Sequence, residues 1–329
     1  MRLGIVGSGK IVAEFLSVAP ALDGVQLSAI WGRSSSADKL RRLGAEHDIA
    51  QVFTDHEEFL ACDDVDTVYV ALPNHLHHEF ARAALLAGKH VICEKPVTTS
   101  LRQFEELWTL AADRDLVLVE AITNQYLSNY TSLPERLPSL GRLRLLQCSY
   151  SQYSSRYDAF RRGEVLPAFD PAAGGGALMD IGIYNVHFVV GLLGAPSRVS
   201  YSANIERGID TSGVLVMEYD SCRAVCVAAK DSAAPNRQVV QGDLGTLVMD
   251  GAPNTCGPYR VALRGQKEEQ VDHTVHPHRM YEEFAAFHRL VRNRDLAERD
   301  RRLRHSHTVL GITLGALAEV GVSVGAGRG

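Results

Sequence analysis

The stretch Arg2-Leu3-Gly4-Ile5-Val6-Gly7-Ser8-Gly9-Lys10-Ile11-Val12 decides the fold. Its apolar run, Leu3–Val6, reads as a buried strand, and two glycines one residue apart follow at once. Gly7 and Gly9 permit a tight turn and let the backbone approach a pyrophosphate closely, with Ser8 between them. A helix beginning near Lys10 and Ile11 then offers free N–H groups and the positive end of its dipole to that anion. The third glycine of the full dinucleotide fingerprint is Val12 here. A glycine-rich structural turn would give the same loop. Its place directly after one strand and before a helix favours dinucleotide binding.

Outward from this loop, strands and helices alternate as far as Glu120. The strands are Leu3–Val6, Gln26–Trp31, Thr67–Leu72, His90–Cys93 and Val117–Glu120. Helical patterns separate them, for instance Leu76–Ala87, opened by Asn74 and closed by Gly88. Such alternation means βαβ units, hence an α/β Rossmann domain with a doubly wound parallel sheet over residues 1–121. Ligands bind at the carboxyl ends of its strands.

The second half has strand-like segments in succession: Leu143–Tyr153, Pro196–Asn204, Thr211–Tyr219, Arg223–Ala229, Gln238–Gly242, Gly245–Asp250 and Tyr259–Arg264. They predict an α+β domain over residues 122–329 with a large, mainly antiparallel sheet, able to bind substrate and to mediate oligomerisation. A helix near Gly176–Gly191 interrupts the strands, and helices near Tyr281–Val291 and Leu303–Val320 close the chain. The basic run Arg299–Arg304 reads as a solvated helix start. The loop Ser154–Asp170, with Arg156, Tyr157 and Arg161, either lines a pocket or meets another subunit.

Composition narrows the function classes. A chain of 329 residues with 46% hydrophobic and 22% charged residues can bury two ordinary cores. Its net charge of -5 argues against nucleic acid or an anionic membrane as the main partner. The six cysteines form no C-x-x-C pair, no leader-like stretch precedes Arg2, and the apolar tail Thr308–Val324 is too short for a span and broken by Glu319. The expectation is a cytoplasmic protein with reduced thiols. His273, His276 and His278 cluster, and His305 and His307 pair, without cysteines or carboxylates at ligand spacing, so no metal is expected.

The chemistry concentrates at strand ends. The second strand ends in Trp31-Gly32-Arg33-Ser34, with no carboxylate to take an adenosine ribose 2′-hydroxyl. A guanidinium and a hydroxyl suit a 2′-phosphate, so NADP is expected, with NAD possible. The fourth strand delivers Glu94-Lys95-Pro96, a charge emerging from a buried strand beside a ring that fixes the backbone. In the second half, Gly174-Gly175-Gly176 precedes a helix carrying Asp180, Tyr184 and His187 at i, i+4 and i+7, one face of a regular α-helix. A polar face turned to water would show the same spacing.

Taken in order and spacing, GIVGSGKIV, ALPNHLH, AGKHVICEKP and GGGALMDIGIY resemble the glucose-fructose oxidoreductase/inositol dehydrogenase (Gfo/Idh/MocA) family, in particular its dihydrodiol-dehydrogenase-like branch. The resemblance covers nearly the whole chain. It implies that Lys95, beside Glu94, contacts both the nicotinamide region and a substrate oxygen. It also implies that Pro73, Asn74 and His77, which match the family's P-N-x-x-H motif, lie along the cofactor ribose, with Leu72 just before them also at the cofactor. Tyr184 would be the acid/base, since an adjacent ammonium stabilises a phenolate. Asp180 would orient the lysine or a substrate hydroxyl, and His187 would touch substrate. Gln125 stands where relatives often carry arginine, which keeps a hydrogen-bonding group on the cofactor side but removes its charge. The implied activity is hydride transfer between NADP and a carbinol or carbonyl carbon of a sugar, polyol or diol. The implied assembly is a homodimer or homotetramer through the C-terminal sheet. A non-catalytic NAD(P)-binding regulatory protein is the alternative. The joint presence of Lys95, Asp180 and Tyr184 favours the enzyme, because a sensor needs only the cofactor half.

Overall fold

The computed structural model describes residues 1–325, which divide into two compact units. The first comprises Met1–Ala121 and Met280–His307. The second comprises Ile122–Arg279 and the chain from Thr308. A stretch near the C-terminus thus returns to the first unit, which a single cut after residue 121 does not capture.

The first unit is built on six parallel strands: β1 (Arg2–Val6), β2 (Gln26–Trp31), β3 (Gln51–Phe53), β4 (Thr67–Val70), β5 (His90–Glu94) and β6 (Leu118–Ala121). Their order is β3-β2-β1-β4-β5-β6, so the winding reverses between β1 and β4. That reversal opens the crevice in which α/β proteins bind ligands. Leu3, Ile5 and Val6 are fully buried, as are Val68, Tyr69 and Val70 beside them. Continuous apolar runs of this kind belong to a sheet covered on both faces. Part of the cover is the helix Met280–Asn293, whose Phe284 stacks on Phe15 at 4.1 Å and meets Tyr69 edge-on at 5.1 Å.

The edge strand β3 has no counterpart in the sequence reading. It has three residues, none fully buried, and so lacks both the length and the apolar run that mark the others. The helix expected from Leu76 begins at His77, after a 3-10 turn over Asn74–Leu76. Leu76 rather than Asn74 occupies its N-cap. Gly88, with φ +74°, ends it as expected, its N–H reaching the Leu85 carbonyl at 3.0 Å.

The final helix is longer than expected, Leu296–Glu319, and Arg299 at its start is buried rather than solvated. Its guanidinium donates to the Ala111 and Leu116 carbonyls and pairs with Asp300, which also accepts from the Trp108 indole. The bond to Ala111 reaches a carbonyl in the last turn of the helix Leu101–Asp113, a group that helices leave without an intrahelical partner. The bond to Leu116 holds the chain just beyond it.

The second unit carries an eight-stranded sheet: β7 (Leu143–Ser151), β8 (Arg198–Glu206), β9 (Ile209–Glu218), β10 (Arg223–Ala229), β11 (Arg237–Gly242), β12 (Gly245–Asp250), β13 (Tyr259–Leu263) and β14 (Glu269–Val271). The order is β14-β13-β12-β11-β7-β10-β9-β8. Every pairing is antiparallel except β10 with β7. The three-residue β14 is also absent from the sequence reading. Along β7, Leu146, Cys148 and Tyr150 point into the core while Leu145 is exposed, so the face is set by the two-residue period.

Against β7 and β10 packs the helix Ile183–Leu193, preceded by a wider π turn over Leu178–Gly182. Every residue from Ile183 to Val190 is buried, so the alternative of a polar face turned to water does not hold. One helical stretch among the described residues, Pro171–Leu193, is long and apolar enough to cross a membrane. Its most apolar window is 72% buried within the protein, as in a core helix.

Candidate active site

The Gly7–Gly9 loop and the ends of β1, β2 and β4 lie in the first unit. β1 ends at Gly7, whose φ of +119° favours glycine. A Cβ there would sit 2.4 Å from the Ala71 carbonyl oxygen, so only glycine lets β1 and the end of β4 close on each other. Gly9 caps the nine-residue helix Lys10–Val18, and nothing lies within 4 Å of where its Cβ would be. Gly9 makes no side-chain cap bond to the first N–H groups of that helix. Val12, in place of the third glycine, is fully buried and packs as core.

A cavity of about 530 Å³ opens at this point. Of the residues expected at a cofactor, Gly7, Ser8, Gly9, Arg33, Leu72 and Pro73 line it. Three further groups were not anticipated. Lys39 and Ser36 line it along with Arg33, and Lys39 donates to the Ser8 carbonyl. The rings of Trp31 and Phe80, 5.0 Å apart, form an aromatic wall, and Glu79 is the one carboxylate in the lining. Lys39 lies six residues beyond Arg33, so only the path of the helix Ala37–Glu46 brings the two cations to one cavity.

Lys10, Ile11, Ser34, Asn74, His77, Glu94 and Lys95 do not line this cavity. His77 is fully buried. Its Nδ1 lies 2.8 Å from the Pro96 carbonyl and its Nε2 2.7 Å from the Leu72 carbonyl. The imidazole is thus a bracket between the loop after β4 and the Glu94-Lys95-Pro96 loop. Burial lowers its pKa, opposed by those two carbonyl contacts.

Lys95 is half-buried in a loop braced from several directions. Glu94 accepts from the Tyr69 hydroxyl at 2.7 Å, and Val97 N–H donates to the buried Glu120 carboxylate at 3.3 Å. Burial pushes Glu120 up to about 7, against the opposing bonds from Ser306 and Val97 and the charge of Lys95. A carboxyl raised from 4.5 binds its proton more tightly folded than unfolded. Its contribution to stability is therefore present below pH 4.5 and lost as pH rises towards 7. Glu120→Gln is expected to gain thermal stability relative to wild type as pH rises across that window. Melting curves that stay parallel from pH 5 to pH 8 would contradict this.

The second unit carries the other residues singled out in the sequence. Gly176, at φ +108°, lies against the buried Asp210, where a Cβ would fall 2.1 Å from Oδ1. Asp210 Oδ2 accepts from the Leu178 N–H at 2.7 Å and the Tyr201 hydroxyl at 2.8 Å, fixing the start of the π turn. Burial pushes Asp210 up to about 6, opposed by these bonds and by the charge of Lys230.

Asp180 lies in the π turn, whereas Tyr184 and His187 lie in the α-helix, so the three do not share one regular helical stripe. The Asp180 carboxylate pairs with Lys230 Nζ at 2.7 Å, a partner just beyond β10 that sequence spacing cannot reveal. Tyr184 keeps 7% of its surface and meets Tyr150 edge-on at 6.1 Å, and His187 is fully buried. Gln125 also belongs to this unit. Its amide nitrogen donates to the His187 carbonyl at 3.0 Å while Asn124 donates to the Tyr184 carbonyl at 2.9 Å. Both side chains tie the turn Thr123–Gln125 to the helix that carries Tyr184. Among the described residues, no group of three or more His, Cys, Asp or Glu side chains is arranged to hold a metal.

Comparison with known proteins places this architecture. The model of the Gfo/Idh/MocA oxidoreductase family, NAD-binding Rossmann fold, matches residues 1–121, and that of the family's C-terminal domain matches residues 138–248. The chain belongs to the Gfo/Idh/MocA oxidoreductases.

Within that family it is 35% identical over 326 residues to scyllo-inositol 2-dehydrogenase (NADP(+)) of Bacillus subtilis (strain 168), covering 98% of each chain. It is 26% identical to trans-1,2-dihydrobenzene-1,2-diol dehydrogenase of Xenopus tropicalis, over 84% of this chain and 83% of the other. The 3-ketoreductase KijD10 of Actinomadura kijaniata, solved with NADP and TDP-benzene, superposes with a TM-score of 0.82 over 97% of both chains at 23% identity, a likeness of fold.

Proposed function

We propose that this Gfo/Idh/MocA member is an NADP(H)-dependent oxidoreductase that moves a hydride to or from a carbinol or carbonyl carbon of a sugar, polyol or diol. The cavity of about 530 Å³ at the end of β1, lined by Gly7 and Gly9 and by Arg33, Ser36 and Lys39, carries this reading. A dinucleotide fits what is there. The helix N-terminus takes a pyrophosphate, the Trp31–Phe80 wall an adenine edge, and the two cations with Ser36 a 2′-phosphate. Relatives named as NADP(+)-dependent support the choice of cofactor.

The cofactor, when bound, supplies or accepts the hydride. The protein's part is the proton and the orientation of the substrate. Lys95 carries a positive charge to the substrate oxygen, and Tyr184 exchanges the proton there as general acid/base. Asp180 orients the reacting groups from its ion pair, and His187 shapes the substrate side from within the core. Glu94, held by Tyr69, and His77, held by two carbonyls, keep the lysine loop in place. Association as a homodimer or homotetramer through the open face of the second sheet belongs to the same proposal. Leu145 and Val214 leave 38% and 39% of their surfaces exposed there.

Arg33→Ala tests the cofactor assignment. A charge-assisted bond to a 2′-phosphate is worth about 1.5–3 kcal/mol, so preference for NADPH over NADH should fall roughly 10- to 100-fold. Lys39→Ala should lower it in the same direction. Dissociation constants for both cofactors check this, and an unchanged ratio in both variants would overturn the assignment.

A further inference from the structure

Lys230 follows β10 and is buried, with 3% of its side chain exposed. An ammonium has three donors and is costly to bury unless they are met. Here Nζ donates to Asp180 Oδ2 at 2.7 Å and to the Ala168 carbonyl at 2.5 Å, and lies 4.4 Å from the centre of the Phe169 ring. A carboxylate, a carbonyl and a π face thus surround one cation. The backbone that delivers it is fixed on both sides: Lys230 N–H donates to the Thr211 carbonyl, and its own carbonyl accepts from Ser154 N–H.

Those contacts join separate pieces of the second unit. Phe169 belongs to a buried cluster with Tyr157, Phe160 and Ile209, which folds the stretch 157–170 onto β9. Asp180 lies on the π turn beyond the three glycines and keeps 35% of its side chain exposed. Removing the ammonium would release the aromatic stretch and the carboxylate together.

We infer that Lys230 is a positioning residue for the reaction, fixing Asp180 and the stretch 157–170 in one arrangement. This rests on the functional reading above, in which Asp180 orients the reacting groups. Small misplacements of such groups cost about 100-fold in rate. Lys230→Met should therefore lower kcat/KM by roughly 10- to 100-fold while NADPH binding stays unchanged. The loss should pass through Asp180, so Asp180→Asn combined with Lys230→Met should be no slower than Asp180→Asn alone.

The experiment is this four-member kinetic cycle on scyllo-inositol, D-xylose and a trans-dihydrodiol with NADP⁺, together with amide hydrogen exchange of each protein. Faster exchange across 157–176 in Lys230→Met, restored in part by Lys230→Arg, is the expected companion result. Additive rate losses, activity within twofold of wild type, or unchanged exchange would overturn the inference. If Lys230→Met does not fold, Lys230→Arg keeps the cycle, with a smaller expected loss. Failure of the functional reading is distinct: wild type oxidises none of the panel, and the catalytic role of Lys230 falls with it. The exchange comparison then decides whether Lys230 holds the stretch.

Discussion

Replacing Lys95 by methionine is expected to lower turnover by about two to three orders of magnitude while leaving the cofactor bound. Methionine preserves much of the length and apolar stem of the side chain but removes its charge. The residues that line the dinucleotide cavity do not include Lys95, so binding of NADPH has no reason to change by more than a few-fold. The loop itself is held by neighbours that the substitution leaves in place: His77 on the Pro96 carbonyl, and Glu120 on the Val97 N–H. On the proposed mechanism the charge that acts on the substrate oxygen is lost, and electrostatic groups of this kind are worth roughly 100- to 1,000-fold in kcat. Single-turnover rates and NADPH dissociation constants measured on the same preparation check both halves. Full activity in Lys95→Met would remove the lysine from the mechanism.

Tyr184→Phe should have a comparable effect by a different route. The side chain is 7% exposed and packs beside Tyr150, so loss of one hydroxyl oxygen leaves a ring of the same shape in a helix buried on every side. The fold should survive with little change in melting temperature. General acid–base groups contribute about 100- to 10,000-fold, and kcat should fall by that order, with NADPH affinity unchanged. The pH dependence should change as well, because on the proposed mechanism the phenol is the group that supplies the proton. A variant that keeps the wild-type kcat and the same pH profile would assign the proton elsewhere.

The contrast between what the sequence revealed and what it hid follows from range. The strand–Gly7–Gly9–helix unit, the end of β2 at Arg33 and the start of the lysine loop are local patterns, each set by neighbours within a few residues. They were legible for that reason. The strands β3 and β14 were not, since three residues carry too little periodicity to stand out. Arg299 looked solvated because a basic run looks the same whether or not one member turns inward to cap another helix. Asp180, Tyr184 and His187 read in the sequence as a regular helical stripe. The π turn that offsets Asp180 is imposed by Asp210 and Gly176, which meet only in the folded unit. Lys230 and Lys39 carried no signal, because each acquires its role from the place to which the fold brings it. Family resemblance supplied roles for His77 that spacing did not, and the structure shows its ring engaged with backbone carbonyls at both nitrogens.

The most direct test of the account is the reduction of NADP⁺ and of NAD⁺, followed by nicotinamide absorbance, with scyllo-inositol, D-xylose and a trans-dihydrodiol as hydride donors. The account predicts reduction with at least one of these donors, and a rate constant with NADP⁺ about tenfold or more above that with NAD⁺. Tight binding of NADP⁺ with no reduction by any polyol, sugar or diol would contradict it and would leave a protein that holds the cofactor without using it.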